Sequence, residues 1–193
     1  MEKYSVNYRE NNATARLTDF LAQIFNGETP IIVCIGTDAV SGDSLGPLTG
    51  SLLQNKLSGK TFVFGDMISP ITAKEIPFVA DFLNTTFQNT PILAIDAALG
   101  LKEEIGNIKV CDTPVKPGLG VNKNLSPLGT ASLIAIVESK DEGKNLLSSV
   151  RLSLIYQLAD MISQAVYDYF LSIKYNSSPL NSIKYPDFKK EVL

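Results

Sequence analysis

Five short apolar runs punctuate the chain, at residues 30–36 ("PIIVCIG"), 60–65 ("KTFVFG"), 90–99 ("TPILAIDAAL"), 104–111 ("EIGNIKVC") and 131–138 ("ASLIAIVE"). Most are apolar at consecutive positions and rich in branched residues, the pattern of strands covered on both faces. Between and after them, residues 13–27, 45–59, 72–87 and 146–173 carry apolar side chains at helical spacing. Pro77 predicts a bend or a late start in the third of these helices. Strands alternating with helices imply parallel β-α-β units, so the predicted fold class is α/β, a three-layer α/β/α arrangement on a mostly parallel sheet. The length of 193 residues fits one domain, residues 1–193, with a core over about 30–172 and a polar, proline-broken tail at 174–193.

Ligands in such folds collect beyond the carboxyl ends of the strands. There the sequence places Asp38 and Asp43, in the loop "GTDAVSGDSLGP" after the first run, and Asp96, read as the carboxyl end of the third. Three readings compete for that loop. A phosphate cradle would use its glycines, but the stretch lacks a G-K-S/T ending and G-x-G-x-x-G spacing, and its two aspartates repel phosphate. A structural reading makes Asp43 the N-cap of the helix near Leu45. The third pairs Asp43 with Asp96, so that one carboxyl is driven to hold its proton beside an ionised partner.

The chain has no histidine, which excludes Ser-His-Asp and Cys-His mechanisms and most transition-metal sites. Acid-base work near neutral pH then falls to carboxylates, Lys, Tyr or Cys. Cys34 and Cys111 sit in apolar runs and read as small core residues. A net charge of −3 with dispersed Lys and Arg gives no footprint for nucleic acid, and no signal peptide or bilayer-length apolar stretch is present, so a cytoplasmic protein is expected. The apolar content leaves room for a homo-oligomer. No cofactor and no metal are expected; an oxygen-only site for Mg2+ or Ca2+ would need Asp38 to join Asp43 and Asp96. Gly36 and Gly42 are expected to let the loop turn tightly enough to place Asp43. Gly118 and Gly120, in "PVKPGLGV", are candidates to present backbone N–H groups to an oxyanion or a peptide backbone. Asp38 and Asp112 are candidate accessory carboxylates, Asp38 as a substrate-binding or loop-shaping residue, each better explained by loop solvation or turn capping, as is Asp66; Lys116 and Lys123 read as solvated.

The ordered blocks "IGTDAVSGDSLGP", "ILAIDAAL" and "IGNIKVCDTPVKPGLGVNKNLSPLGTASLIAIV", spread over roughly residues 30–170, resemble those of the spore-specific germination protease. They resemble more closely the smaller YyaC family of sporulation proteins related to it. The resemblance implies a phosphorylase/hydrolase-like α/β/α fold shared with hydrogenase-maturation endopeptidases. It also implies an atypical aspartate-dependent peptidase; in the germination protease the substrates are the small acid-soluble proteins of spore DNA. The two functional aspartates of that enzyme match Asp43 and Asp96. The hydrogenase-maturation relatives recognise nickel with acidic residues and a histidine, which this chain lacks. The implied function is a sporulation-associated endopeptidase acting on a small protein in the forespore or mother cell of a spore-forming bacterium. The alternative is a non-catalytic protein of the same fold that binds a peptide or protein in the cleft.

Overall fold

The computed structural model describes residues 3–116, 127–140 and 146–173. Its elements run β1 (Lys3–Asn7), α1 (Ala13–Phe25), β2 (Ile31–Cys34), α2 (Leu45–Lys56), β3 (Val63–Phe64), α3 (Ile76–Thr86), β4 (Ile92–Gly100), β5 (Asn107–Cys111), β6 (Ala131–Ser139) and α4 (Leu152–Ser172). Short 3-10 turns stand at Ser41–Ser44 and Leu146–Ser149. The strands form one sheet in the order β1-β5-β6-β4-β2-β3. β3, β2, β4 and β6 are mutually parallel, while β5 runs antiparallel to both β6 and β1.

Two-residue periodicity divides the core between the faces of this sheet. Ile32 and Cys34 of β2, with Leu93 and Ile95 of β4, pack into a large cluster with α1, α2 and α4. Ile31, Val33 and Ile35, with Ile92 and Ala94, face a smaller cluster built with Ile76, Ala80 and Leu83 of α3. The three-layer α/β/α expectation holds, and its mixed, mostly parallel sheet explains why the inner strands are apolar at consecutive positions. Both cysteines are buried and unpaired, and burial, helped by the charge of Asp66, pushes the Cys34 thiol far above its ordinary pKa.

Three details depart from the sequence reading. The N-terminal segment contains a strand, β1, whose residues Lys3 to Asn7 pair with Cys111 to Asn107; five residues with two apolar positions were too weak a pattern to announce it. β5 is antiparallel because only six residues, 101–106, separate it from β4, too few for the crossover a parallel neighbour requires. β4 does not stop at Asp96 but continues to Gly100. Pro77 acts as a late start: α3 begins at Ile76 with the proline in its first turn, where its missing N–H costs no helical bond. Ahead of it Glu75 Oε2 accepts from the Thr72 backbone N–H at 2.9 Å and from the Thr72 hydroxyl at 2.5 Å.

α2 carries Gly46, Pro47 and Gly50 near its start, residues that weaken a helix on propensity alone. Packing gives their reason. A Cβ at Gly46 would collide with the Ile35 carbonyl, and one at Gly50 with the Gly65 carbonyl. The helix therefore lies against the bare backbone at the ends of β2 and β3. The approach is secured by Leu45, Leu53 and Leu57, each no more than 1% exposed and worth roughly 1.5–3 kcal/mol of burial. Gly50→Ala should lower stability by about 3 kcal/mol through backbone overlap. Urea denaturation measures it, and an unchanged midpoint would contradict the close approach.

Candidate active site

β2 is the turning point of the sheet: β3 lies on one side of it and β4 on the other. The connections leaving β2 and leaving β4 run to opposite sides, toward β3 and toward β5, and so diverge at the carboxyl ends of the strands, in the crevice where α/β folds place ligands. β2 pairs with β4 only as far as Cys34 opposite Ile95. β4 runs on beside β6, so Asp96 stands at the first position past the end of β2. Sheet alternation puts its side chain on the α3 face with Ile92 and Ala94.

Asp43 reaches the same place from the other wall. The chain leaves β2 at Gly36, whose φ of 143° is open to glycine and whose missing Cβ makes room for the Asp43 carbonyl. The Thr37 N–H donates to that carbonyl at 3.1 Å. Asp43 sits in the Ser41–Ser44 turn, which is pinned to the start of α4 where the Ser41 hydroxyl donates to the Val150 carbonyl at 2.7 Å. Gly42 permits the same contact: a Cβ there would lie 2.8 Å from the Leu147 carbonyl oxygen. Asp43 is not a helix cap. The N-cap position of α2 is Ser44, and no side chain caps that end.

Burial raises the Asp96 pKa first, and the charge of Asp43 raises it further, to about 7; the Ala97 N–H, donating to Asp96 Oδ1 at 2.8 Å, opposes both. Asp96 keeps some contact with solvent, so burial here means dense surroundings rather than full enclosure. Burial raises Asp43 as well, while the Thr37 backbone N–H favours its charged form. The two carboxyls therefore share one electrostatic environment, in which a protonated acid and an ionised base can coexist near neutral pH.

The other candidate residues separate. Asp38 is exposed, and among the described residues no group of three acidic, cysteine or histidine side chains is placed to hold a metal ion. Asp66 closes its own turn, accepting from the backbone N–H groups of Ser69 at 2.6 Å and Ile68 at 2.7 Å; these bonds, the Ser69 bond foremost, hold its carboxyl below the usual range. Asp112 cannot be an accessory carboxylate at the crevice. It follows antiparallel β5 and lies at the opposite pole, beside a cavity of about 480 Å3 lined by Phe25, Asn84, Phe87 and Thr130 among others. That cavity lies at the amino ends of β4 and β6, at the opposite end of β4 from Asp96. Lys116 is exposed. Gly118, Gly120, Lys123 and the tail from 174 lie outside the described residues. Ser41, Thr37 and Gly46 emerge as the residues that hold Asp43 in place, and only Gly46, one helical turn before Gly50, left a sequence signal as a pair of small residues on one helix face.

A family model described as "Protein of unknown function (DUF1256)" matches residues 5–165. The chain belongs to this family. Its relative in Bacillus subtilis (strain 168), "Uncharacterized protein YyaC", is 31% identical over 141 residues, 72% of this chain and 69% of that protein. This YyaC-family chain also shares its fold with a crystal structure of the NiFe hydrogenase maturation protease HycI from Thermococcus kodakarensis KOD1. The TM-score is 0.52 at 16% identity, over 78% of this chain and 98% of that one. The expected kinship with the hydrogenase-maturation peptidase fold is thereby met at the level of architecture.

The pair can be read by titration. An unfolded aspartate loses its proton near pH 4 and Asp96 in the fold near pH 7. Between those values the native state holds a proton that the unfolded state has released, so this group's contribution to stability is complete below about pH 4 and declines as pH rises through 7. Asp96→Asn should remove that slope and gain on the order of 2 kcal/mol over wild type at pH 8, discounted for partial solvent contact. Denaturation midpoints from pH 4 to 8 measure it, and parallel curves would refute the raised pKa.

Proposed function

We propose that this YyaC-family protein is a germination-protease-like, aspartate-dependent endopeptidase acting on a small protein substrate in the cytoplasm of a sporulating cell. The observation that carries the reading is the coupling of Asp43 to Asp96 at the turning point of the sheet. Asp96, the more strongly raised of the two, is the protonated partner and polarises the scissile carbonyl. Asp43, which burial raises less strongly than Asp96 and whose charged form the Thr37 N–H supports against that burial, takes the proton from the attacking water, and Asp96 supplies one toward the leaving nitrogen. Gly36 and Gly42 shape the loop that presents Asp43. The fold shared with a maturation protease and the membership of the YyaC family support this reading, and the absence of histidine leaves a carboxyl pair as the economical source of acid-base chemistry.

The apolar side chains exposed at the same pole favour a protein or peptide ligand over a small polar one. Met67 and Ile68 follow β3, Leu101 follows β4 and Leu152 opens α4, with Ile68 at 92% exposure. The same rim serves the second reading, a non-catalytic protein that holds a partner segment in the crevice.

Terminal-amine mass spectrometry of proteins from a sporulating culture, incubated with the purified protein, separates the two. Wild type should generate new termini at a rate that falls at least 100-fold in both Asp43→Asn and Asp96→Asn, the loss typical of removing a general acid or base. Activity should follow a bell in pH whose alkaline limb lies near 7, where Asp96 loses its proton. Inert wild type that still retains a partner supports the binding protein, and cleavage indifferent to both variants refutes the carboxyl pair.

A further inference from the structure

Among the described residues, the part of β4 beyond the end of β2 has one paired strand, β6. Inside the sheet its backbone groups alternate between the two sides. The carbonyls of Pro91 and Ile95 accept from Ile31 and Ile35 on the β2 side, at 2.9 and 2.8 Å. Those of Ile92 and Gly100 accept from Thr130 and Lys140 on the β6 side, both at 2.9 Å. The same alternation turns Ala97 and Leu99 toward the β2 side, where β2 has already ended. The register irregularity between Ala98 and Leu99 leaves this phase intact, because the extra residue, Val137, is on β6 and Gly100 still bonds Lys140. Ala97 and Leu99 are only half-buried. No described residue pairs with the Ala97 carbonyl or with the N–H and carbonyl of Leu99, and the Ala97 N–H is occupied by the carboxyl of the adjacent Asp96, at 2.8 Å.

An unpaired strand edge lined by half-buried backbone groups is a template for another strand. We infer that an extended peptide segment docks along the free edge of β4, pairing its main chain with Ala97 and Leu99 and so continuing the line of β2 into the crevice. The inference rests on the endopeptidase reading for the fate of the segment but not for its docking. Asp96 is the residue next to the docked backbone, so a peptide bond lying against Ala97 is brought to the carboxyl pair by the ladder itself. Recognition through main-chain groups specifies an extended, unfolded stretch rather than a particular side chain. The occupant is then a flexible segment of a protein, and the exposed apolar rim of Met67, Ile68 and Leu101 adds contacts on alternate side chains.

Dodecapeptides selected from a random display library on immobilised wild-type protein provide the probe. Leu99→Pro deletes the N–H facing the vacant side and leaves the bonds to β6 alone, a substitution that strand edges tolerate; Leu99→Ala trims the side chain but keeps the N–H. Selected peptides should lose about tenfold or more in affinity for Leu99→Pro and less than threefold for Leu99→Ala. Methylating successive amides of a bound peptide should weaken binding at every second position only. Should Leu99→Pro fail to fold by circular dichroism, the methylation series decides by itself. A flat series, affinity indifferent to Leu99→Pro, or no peptide bound at micromolar concentration overturns strand docking. The two readings fail separately. Aspartate-dependent cleavage with unaltered KM in Leu99→Pro sinks the docking and spares the peptidase, whereas period-two binding without aspartate-dependent cleavage spares the docking and sinks the peptidase.

Discussion

The contact between the backbone of α2 and the ends of β2 and β3 sets the position of nearly everything at the crevice. Gly46 lies on the Ile35 carbonyl and Gly50 on that of Gly65, while Gly65 in turn approaches the Cys34 carbonyl. With no side chains between them, helix and sheet are held at backbone distance, and leucines on the neighbouring turns bury the seam. Since the Ser41–Ser44 turn leads directly into α2, the depth of that seam fixes how far Asp43 can reach toward β4. One side chain inserted between the layers would lift the carboxyl away from its partner without touching either aspartate.

The second wall is set by a difference in strand length. β2 has four residues and β4 has nine, and the five-residue excess of β4 makes Asp96 accessible. An aspartate at the centre of a fully paired strand would be enclosed on both edges and would have to be neutral; one past the last strand would be solvated and ordinary. Asp96 lies between these extremes, with β6 paired on one side and, among the described residues, no strand on the other, only the Ser41–Ser44 turn nearby. Burial and a neighbouring charge raise its pKa, yet it keeps some contact with solvent.

Much of this was legible from the residues. Unbroken apolar runs such as Ile31 to Ile35 report burial on both faces, and the helical spacing of Leu17, Phe20, Leu21 and Ile24 reports an amphipathic helix, of which Leu17 and Leu21 are buried. The loop that carries Asp43 was legible because glycines and an aspartate after a buried strand mark a chain turning at the carboxyl edge of an α/β sheet. Strand ends and directions were not. Asp96 looked terminal because the sequence shows where β4 turns less apolar but not where β2 stops, and that depends on the partner strand. The antiparallel course of β5 follows from the length of a connection, which hydropathy does not record. Gly46 and Gly50 looked like weaknesses in a helix because the backbone they touch belongs to residues far along the chain.

The two faces of the sheet are unequal. Three helices and the larger cluster lie on one side, and α3 with a dozen buried apolar residues on the other, the side toward which Asp96 points. Cooperative stability is drawn mostly from the heavier face, since local opening is cheapest where the fewest apolar contacts must be broken. The lighter face can therefore accept insertions, deletions and altered surface chemistry at small thermodynamic cost. Changes confined to the thin wall leave the thick wall in register, and with it the Ser41–Ser44 turn that rests against α4.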